Sequence, residues 1–303
     1  MTTQLYQEID GFCTPNAFRE ENFRSAMQYR AREGDIFIVT YPKCGTTWTQ
    51  YILCNIMTRG SPPSNIDDYD LMTPFLDARG AEAVQNRFKQ GPIVTHLPSG
   101  VLEPVHGAKY IYVARNPYDC AVSYYHFLKG FKPNAFPDFG NFLAMFQSGK
   151  VPYGDYFDHL LSWYGHRDDA NVLFVTYEDL KTDSRTQLLR IADFLGKDHG
   201  AALRQDEALL RRVLDACRLE KMKTFIKDNP VDRFKSDPPK VCVAREKCAN
   251  PVNDTAMMTI PAIEGRLLFY EKALWETGRT TLRVNNYKKP KPGLCERRPV
   301  VMS

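Results

Sequence analysis

None of the eight cysteines forms a Cys-x-x-Cys pair, and no histidine stands at a spacing suited to zinc. That removes the usual sequence signatures of a structural metal site or a dithiol redox centre. Several of the thiols lie inside apolar runs, where free cysteine packs as a small hydrophobe. No apolar run approaches the ~20 residues that a membrane span needs. Residues 1–10 lack the cationic start and apolar centre of a signal peptide. A reduced, cytoplasmic protein that uses no membrane is therefore expected. Strong charge imbalance is also missing, with 40 cationic side chains against 36 anionic ones. This is too even for a general nucleic-acid coat, although local basic pockets remain open. The Gly-x-x-x-x-Gly-Lys-Ser/Thr pattern of a nucleotide-triphosphate loop does not occur. Nor does any strand end carry an obvious aspartate for magnesium; Glu178-Asp179 comes nearest, and such a pair more commonly caps or solvates the following helix.

What is present fills 303 residues, 43% hydrophobic and 25% charged, enough for one large globular domain or two small ones. Short apolar runs rich in β-branched and aromatic residues read as strands at 36–40, 92–97, 109–114 and 171–177. Helical spacing follows at 46–58, from Pro117 onward, at 139–147, 156–165, 184–195 (closed by Gly196), 206–218 and 263–277. Residues 1–34 read as a lead-in of turn and short helix, 59–70 as a loop, and 227–253 as irregular. Strands alternating with helices predict an α/β fold. The expected organisation is a single domain over 1–287, its mainly parallel central sheet flanked by helices, with a basic, Pro-rich and poorly ordered tail over 288–303.

In such sheets ligands bind beyond the C-terminal strand ends. Here those ends carry Lys43, His96, Arg115 and Tyr177. The first is the most informative. Asp35-Ile-Phe-Ile-Val-Thr-Tyr-Pro-Lys-Cys-Gly-Thr-Thr-Trp48 runs from strand through a tight loop to a helix N-terminus. That arrangement aims backbone N–H groups at an anion, with Lys43 and the hydroxyls of Thr46 and Thr47 at the same mouth. His96 has the proton affinity of a base that works near neutral pH, or is a structural histidine. Arg115 and Ser123 suit a phosphate held by guanidinium and hydroxyl, or are a surface residue and a cap. Trp48 and Tyr177 suit a purine, or are core.

Several stretches, in order, resemble the cytosolic sulfotransferases. They are Tyr-Pro-Lys-Cys-Gly-Thr-Thr-Trp (41–48), Thr-His-Leu-Pro (95–98), Ala-Arg-Asn-Pro-Tyr-Asp-Cys-Ala-Val-Ser-Tyr-Tyr-His-Phe (114–127), Val-Pro-Tyr-Gly (151–154) and Thr-Tyr-Glu-Asp-Leu-Lys (176–181). The resemblance covers about residues 30 to 230. It implies sulfonate transfer from 3′-phosphoadenosine 5′-phosphosulfate (PAPS) to a hydroxyl or amine without a metal, releasing adenosine 3′,5′-bisphosphate (PAP). By position, Lys43 would bind the 5′-phosphosulfate and its bridging oxygen, with Cys44, Gly45, Thr46 and Thr47 on the same phosphate. Arg115 and Ser123 would hold the 3′-phosphate, Trp48 and Tyr177 would neighbour the adenine, and His96 would be the general base.

The chain departs from that pattern in three places. Val94 stands where the family has a lysine. The adenine-side segment is Cys217-Arg-Leu219-Glu-Lys-Met222 in place of one with Thr or Ser and Phe. The Arg-Lys-Gly-x-x-Gly-Asp-Trp-Lys signature is absent, leaving Arg245 or Lys247 for the 3′-phosphate and Thr255 where the dimer motif opens with lysine. Weaker donor binding, and a homodimer without its usual short segment, are the corresponding expectations. For the acceptor pocket the resemblance points to the stretch after the Arg115 helix. Phe127 and Phe131, with Phe136, Phe139 and Phe142 nearby, suit a small phenol, or are plain core. Asp138 and Asp155 are the carboxylates considered for a phenolic amine. The competing readings are a PAP-binding relative with little turnover and a kinase-like enzyme using magnesium on Glu178 or Asp179.

Overall fold

The lead-in begins with an antiparallel hairpin that was not expected, β1 (Tyr6–Ile9) and β2 (Phe12–Pro15); the short helix expected there follows it. The hairpin turn is Asp10-Gly11, with φ of 50° and 78°. Two successive positive φ values give the twist that a two-residue hairpin loop needs, and Asp-Gly is a preferred pair for it. Helix α1 (Glu20–Met27) follows, burying Phe23 and Ala26. The computed structural model describes residues 5–85, 91–131 and 138–228, all within the unit Met1–Met258.

The remaining elements alternate as the apolar pattern predicts. They are β3 (Ile36–Thr40), α2 (Thr46–Met57), α3 (Ile66–Met72), α4 (Leu76–Gln85), β4 (Ile93–Thr95), β5 (Lys109–Ala114), α5 (Pro117–Phe131), α6 (Phe139–Gln147), α7 (Tyr156–Tyr164), β6 (Val172–Thr176), α8 (Tyr177–Thr182), α9 (Ser184–Leu195), α10 (Lys197–Gln205), α11 (Glu207–Ala216) and α12 (Leu219–Asp228). Strands β4-β3-β5-β6 pair in that order, all parallel. A parallel sheet covered on both faces needs apolar side chains on both, which is why β3 and β5 read as unbroken apolar runs. The chain leaves β3 for β4 on one side, then crosses to β5 on the other. The crevice beyond the C-terminal ends of β3 and β5 is therefore the topological switch point.

Helices α3, α4, α8, α10 and α12 were not anticipated. The 59–70 stretch has loop composition, but Asn65 accepts from the Asp68 N–H and starts α3 inside it. Gly196 does not close α9 in a left-handed turn. Its backbone is extended, with φ 168°, and it serves at once as the end of α9 and the start of α10. The irregular stretch from 227, the helix at 263–277, the tail at 288–303, Phe136, Arg245, Lys247 and Thr255 fall wholly or nearly so outside the described residues.

Large buried hydroxyl-bearing rings tie the layers to the strand ends. Tyr41, Tyr124 and Tyr156 are almost fully buried, so their hydroxyls need internal acceptors. Tyr41 donates to the Gly154 carbonyl (2.8 Å), Tyr124 to that of Pro152 (2.9 Å) and Tyr156 to that of Arg115. Each bond fixes a loop at the switch-point end of the sheet. Cys44, Cys54, Cys120 and Cys217 are free and buried, as their apolar surroundings suggest. Among the described residues, no helix is long and apolar enough to cross a membrane, and no cluster of His, Cys, Asp and Glu could hold a metal.

Candidate active site

The loop after β3 is built from left-handed residues. Lys43 has φ 71° and Gly45 φ 99°. Gly45 stands at the N-cap of α2 and, having no side chain, makes no cap hydrogen bond to the N–H groups of that helix's first turn. Those donors and the positive end of the helix are suited to an external anion. The Cys44 N–H, by contrast, is engaged with the Tyr41 carbonyl at 3.2 Å. Thr46 Oγ1 lies 2.7 Å from Thr40 Oγ1, which ties the start of α2 back to the end of β3.

Across the switch point, Arg115 Nη1 donates to the Lys43 carbonyl at 2.8 Å. The guanidinium lies 4.5 Å from the centre of the Tyr177 ring, and its buried Nε has no hydrogen-bond partner among the described residues. A buried unpaired donor is costly unless something else accepts from it, so this cation keeps capacity for an anion. Tyr177 also packs on the loop itself, because a Cβ added at Gly45 would lie 2.7 Å from Tyr177 Cδ2. Alanine at Gly45 combines that clash with a backbone conformation costing an L-residue about 1–2 kcal/mol. Gly45→Ala is expected to lower both the melting temperature and the affinity of this loop for an anion. Gly34→Ala, with φ +83° but open space around it, is the control: stability falls and affinity does not.

Trp48 and Tyr177 contact each other, 5.5 Å apart at 70°, so they form one aromatic corner and not two parallel faces. Trp48 Nε1 donates to the Cys217 carbonyl at 2.9 Å. That bond joins the corner to the end of α11, next to half-buried Leu219 and buried Met222 of α12. Ser123 is buried on α5. Thr47 is in the first turn of α2. Of the acidic pair, Glu178 Oε1 accepts from the Asn116 N–H at 2.9 Å, bracing the loop that carries Arg115, while Oε2 is buried without a partner among the described residues. Burial holds its carboxyl above the ordinary value.

His96 follows β4. Its Nδ1 lies 2.6 Å from the Thr40 carbonyl oxygen, which can only accept. Nδ1 therefore carries the proton and Nε2 keeps the lone pair. The ring sits between Phe75 (5.1 Å, 73°) and Tyr153 (5.0 Å, 80°). Burial lowers its pKa to about 4; the Thr40 carbonyl opposes that shift and the charge of Lys43 adds to it. At neutral pH the imidazole is uncharged, and the half-buried residue keeps part of its surface open.

Lys43 Nζ lies 4.4 Å from the centre of the Phe127 ring, and Phe127 packs edge-on against Phe131 at 4.8 Å. Phe131, at the end of α5, is exposed, whereas Phe142 is entirely core. Asp138 and Asp155 are both committed to capping, at the starts of α6 and α7. Val94 is buried within β4. Sequence reasoning missed three residues around His96: Asp77, Tyr153 and His159. Only Tyr153 lay in a noted motif, Val151 to Gly154.

A sulfotransferase domain model matches residues 33–237, which is most of the chain and includes every described strand-end residue discussed above. A rabbit (Oryctolagus cuniculus) amine sulfotransferase is 39% identical over 178 residues, 56% of this chain; the chain spans 58% of that relative's length. Rabbit sulfotransferase 1C2 is 34% identical over 242 residues, covering 76% of this chain and 77% of the relative. Among solved structures, a mouse sulfotransferase in complex with PAP matches with TM-score 0.62 and 30% identity, over 92% of this chain and 95% of that one. The parallel sheet, the loop at its switch point and these matches agree: the chain belongs to the sulfotransferase family.

Proposed function

We propose that the protein moves a sulfonate group from PAPS to the hydroxyl of a small, lipophilic and preferably phenolic acceptor. One observation carries this reading: a neutral imidazole with a free Nε2 and a cationic loop at an uncapped helix start meet at the switch point of the sheet. PAPS supplies an activated sulfonate on a phosphate leaving group. Lys43, Gly45, Thr46 and Thr47 would hold that phosphate, where a cation and oriented N–H groups stabilise negative charge as it develops. Cys44 shapes this loop more than it donates, since its N–H is already engaged. The unpaired Nε of Arg115, with Ser123, fits the 3′-phosphate. Trp48, Tyr177, Cys217, Leu219 and Met222 form the purine side, and Arg245 or Lys247 completes the reading from outside the described residues. His96 Nε2 takes the proton of the acceptor as its oxygen attacks sulfur. Phe127 and Phe131 line the acceptor side.

Because Asp138 and Asp155 are occupied as helix caps, a neutral acceptor is favoured over an ammonium-bearing one. Amine acceptors stay in the test because a 39% identical relative is named an amine sulfotransferase. A cytoplasmic enzyme with small-molecule partners and no nucleic acid or membrane completes the proposal. A homodimer would not use the usual segment around Thr255. Thermal-shift titration tests the donor site. Stabilisation by PAP, and none by ATP with magnesium, supports it. The reverse result points to the kinase-like reading. Stabilisation by PAP with no sulfonate transfer points to the low-turnover relative.

A further inference from the structure

His96 is held at more points than an ordinary loop residue. Its N–H donates to Asp77 Oδ2 at 2.8 Å, and its carbonyl lies 2.9 Å from His159 Nε2. A carbonyl only accepts, so His159 carries its proton on Nε2, and Nδ1 then accepts from the Tyr112 hydroxyl at 3.0 Å. Asp77 is wholly buried on α4, with nothing cationic among its bonded neighbours. Three donors satisfy it: the Thr95 hydroxyl on Oδ1 (2.6 Å), and the His96 N–H and the Tyr153 hydroxyl on Oδ2, the latter at 2.8 Å. One carboxylate oxygen thus ties together the backbone of His96 and the ring that packs on its imidazole.

Tyr153 is itself held in place. Its φ of 69° lies in the left-handed region, which a bulky L-residue occupies only when its surroundings impose it. They do so here at several points. The Tyr153 N–H donates to the Cys13 carbonyl of the opening hairpin at 2.8 Å. The neighbouring carbonyls of Pro152 and Gly154 accept from the buried Tyr124 and Tyr41 hydroxyls. The loop presents the Tyr153 ring edge-on to His96 while its hydroxyl closes on Asp77.

We infer that Asp77 and Tyr153 are positioning residues that fix the His96 imidazole, Asp77 by holding its peptide and Tyr153 through the hydroxyl that Asp77 anchors, which keeps the ring edge against the imidazole. This rests on the reading of His96 as the base. Neither residue touches the reacting atoms. Their effect is to keep Nδ1 on the Thr40 carbonyl, so that Nε2 points in one direction with its lone pair free. Misplacement of a catalytic group by about 1 Å costs on the order of a hundredfold in rate, and a ring free to turn loses both direction and tautomer.

The test uses full-length Asp77→Ala, Asp77→Asn and Tyr153→Phe, with three readouts: kcat on a phenol with PAPS, PAP binding, and the ring nitrogen NMR signals of His96. Asp77→Ala and Tyr153→Phe are expected to lower kcat about ten- to a hundredfold, leave PAP affinity unchanged, and replace the single Nδ1–H pattern of His96 with a tautomer mixture. Asp77→Asn keeps an oxygen that accepts from both the His96 N–H and the Tyr153 hydroxyl, and is expected to retain the wild-type pattern. If Asp77→Ala does not fold, Tyr153→Phe decides the matter. An unchanged His96 pattern in Tyr153→Phe overturns the inference, whether or not kcat falls, and so does unchanged kcat. The base assignment is judged separately by His96→Ala. Full turnover in that variant defeats the assignment while the ring signals still report whether Asp77 and Tyr153 hold the imidazole.

Discussion

His96→Ala is expected to lower kcat by about 10²–10⁴-fold, the usual worth of a positioned base, while PAP still binds with wild-type affinity. The Thr40 carbonyl fixes the Nδ1–H tautomer at 2.6 Å, so Nε2 is the only basic nitrogen of the ring. Alanine removes that nitrogen and leaves the β3–α2 loop intact. The pH profile carries the same signature. The base form is the unprotonated one, and burial has lowered the His96 pKa from 6.5 to about 4. The acid limb of kcat/KM should therefore lie below the range of an ordinary histidine, with activity nearly level between pH 7 and the lower limit of stability. A limb centred near 6.5 would contradict the burial of the ring.

Stability itself must be followed in that experiment. His96 and His159, the latter lowered to about 3, bind protons more readily unfolded than folded. Their contribution is present above the unfolded value of 6.5 and is lost as pH falls through the window toward 4. Asp77, raised by burial to about 6, has the opposite sign: it favours the folded state at low pH and loses that contribution as pH rises from 3.8 to 6. Glu178, also raised by burial, shares the sign of Asp77, but the two histidines are displaced over the wider range, from 6.5 to about 4 and about 3, so net stability should fall on acidification through this window.

Lys43→Met is expected to lower kcat by about 10²–10³-fold, the scale seen when one preorganised donor to a developing anion is removed. Methionine keeps much of the length and apolar contact of lysine, including its place over the Phe127 ring, but not the charge. Val94 adds weight to this prediction, since the extra cation implied by the family pattern is absent and its position is buried in β4. Steady-state kinetics separate the outcomes. A fall in kcat with a modest rise in KM for PAPS marks a group that acts on the leaving phosphate. A change in KM alone would make Lys43 a binding residue only.

Much of this site was legible in the chain because a parallel sheet makes it so. Strands β3 and β5 are buried on both faces and appear as apolar runs, and the loops that follow them in sequence carry Lys43 and Arg115, which the fold brings together. Gly45 is legible for a related reason: a tight strand-to-helix loop demands it, and the space is then filled by the Tyr177 ring. The hairpin was readable in principle, from Asp10-Gly11, but β1 and β2 are only four residues each and too polar for alternation to show. Asp77 was not readable at all. Its bonded partners include Tyr153, 76 positions away, and His96, 19 away, and no local pattern encodes a carboxylate satisfied by donors so far along the chain. The phenylalanines mark the same limit. Composition cannot distinguish Phe142, which is core, from Phe131, which is exposed.

The most direct test is transfer of radiolabelled sulfonate from PAPS to a panel of phenols, lipophilic alcohols and amines, with the wild-type chain and His96→Ala in parallel. Label is expected on at least one phenolic acceptor with the wild type, with a loss of about 10² or more in the variant. Label transferred equally by both proteins, or by neither while ATP with magnesium stabilises the fold, would contradict the proposed function.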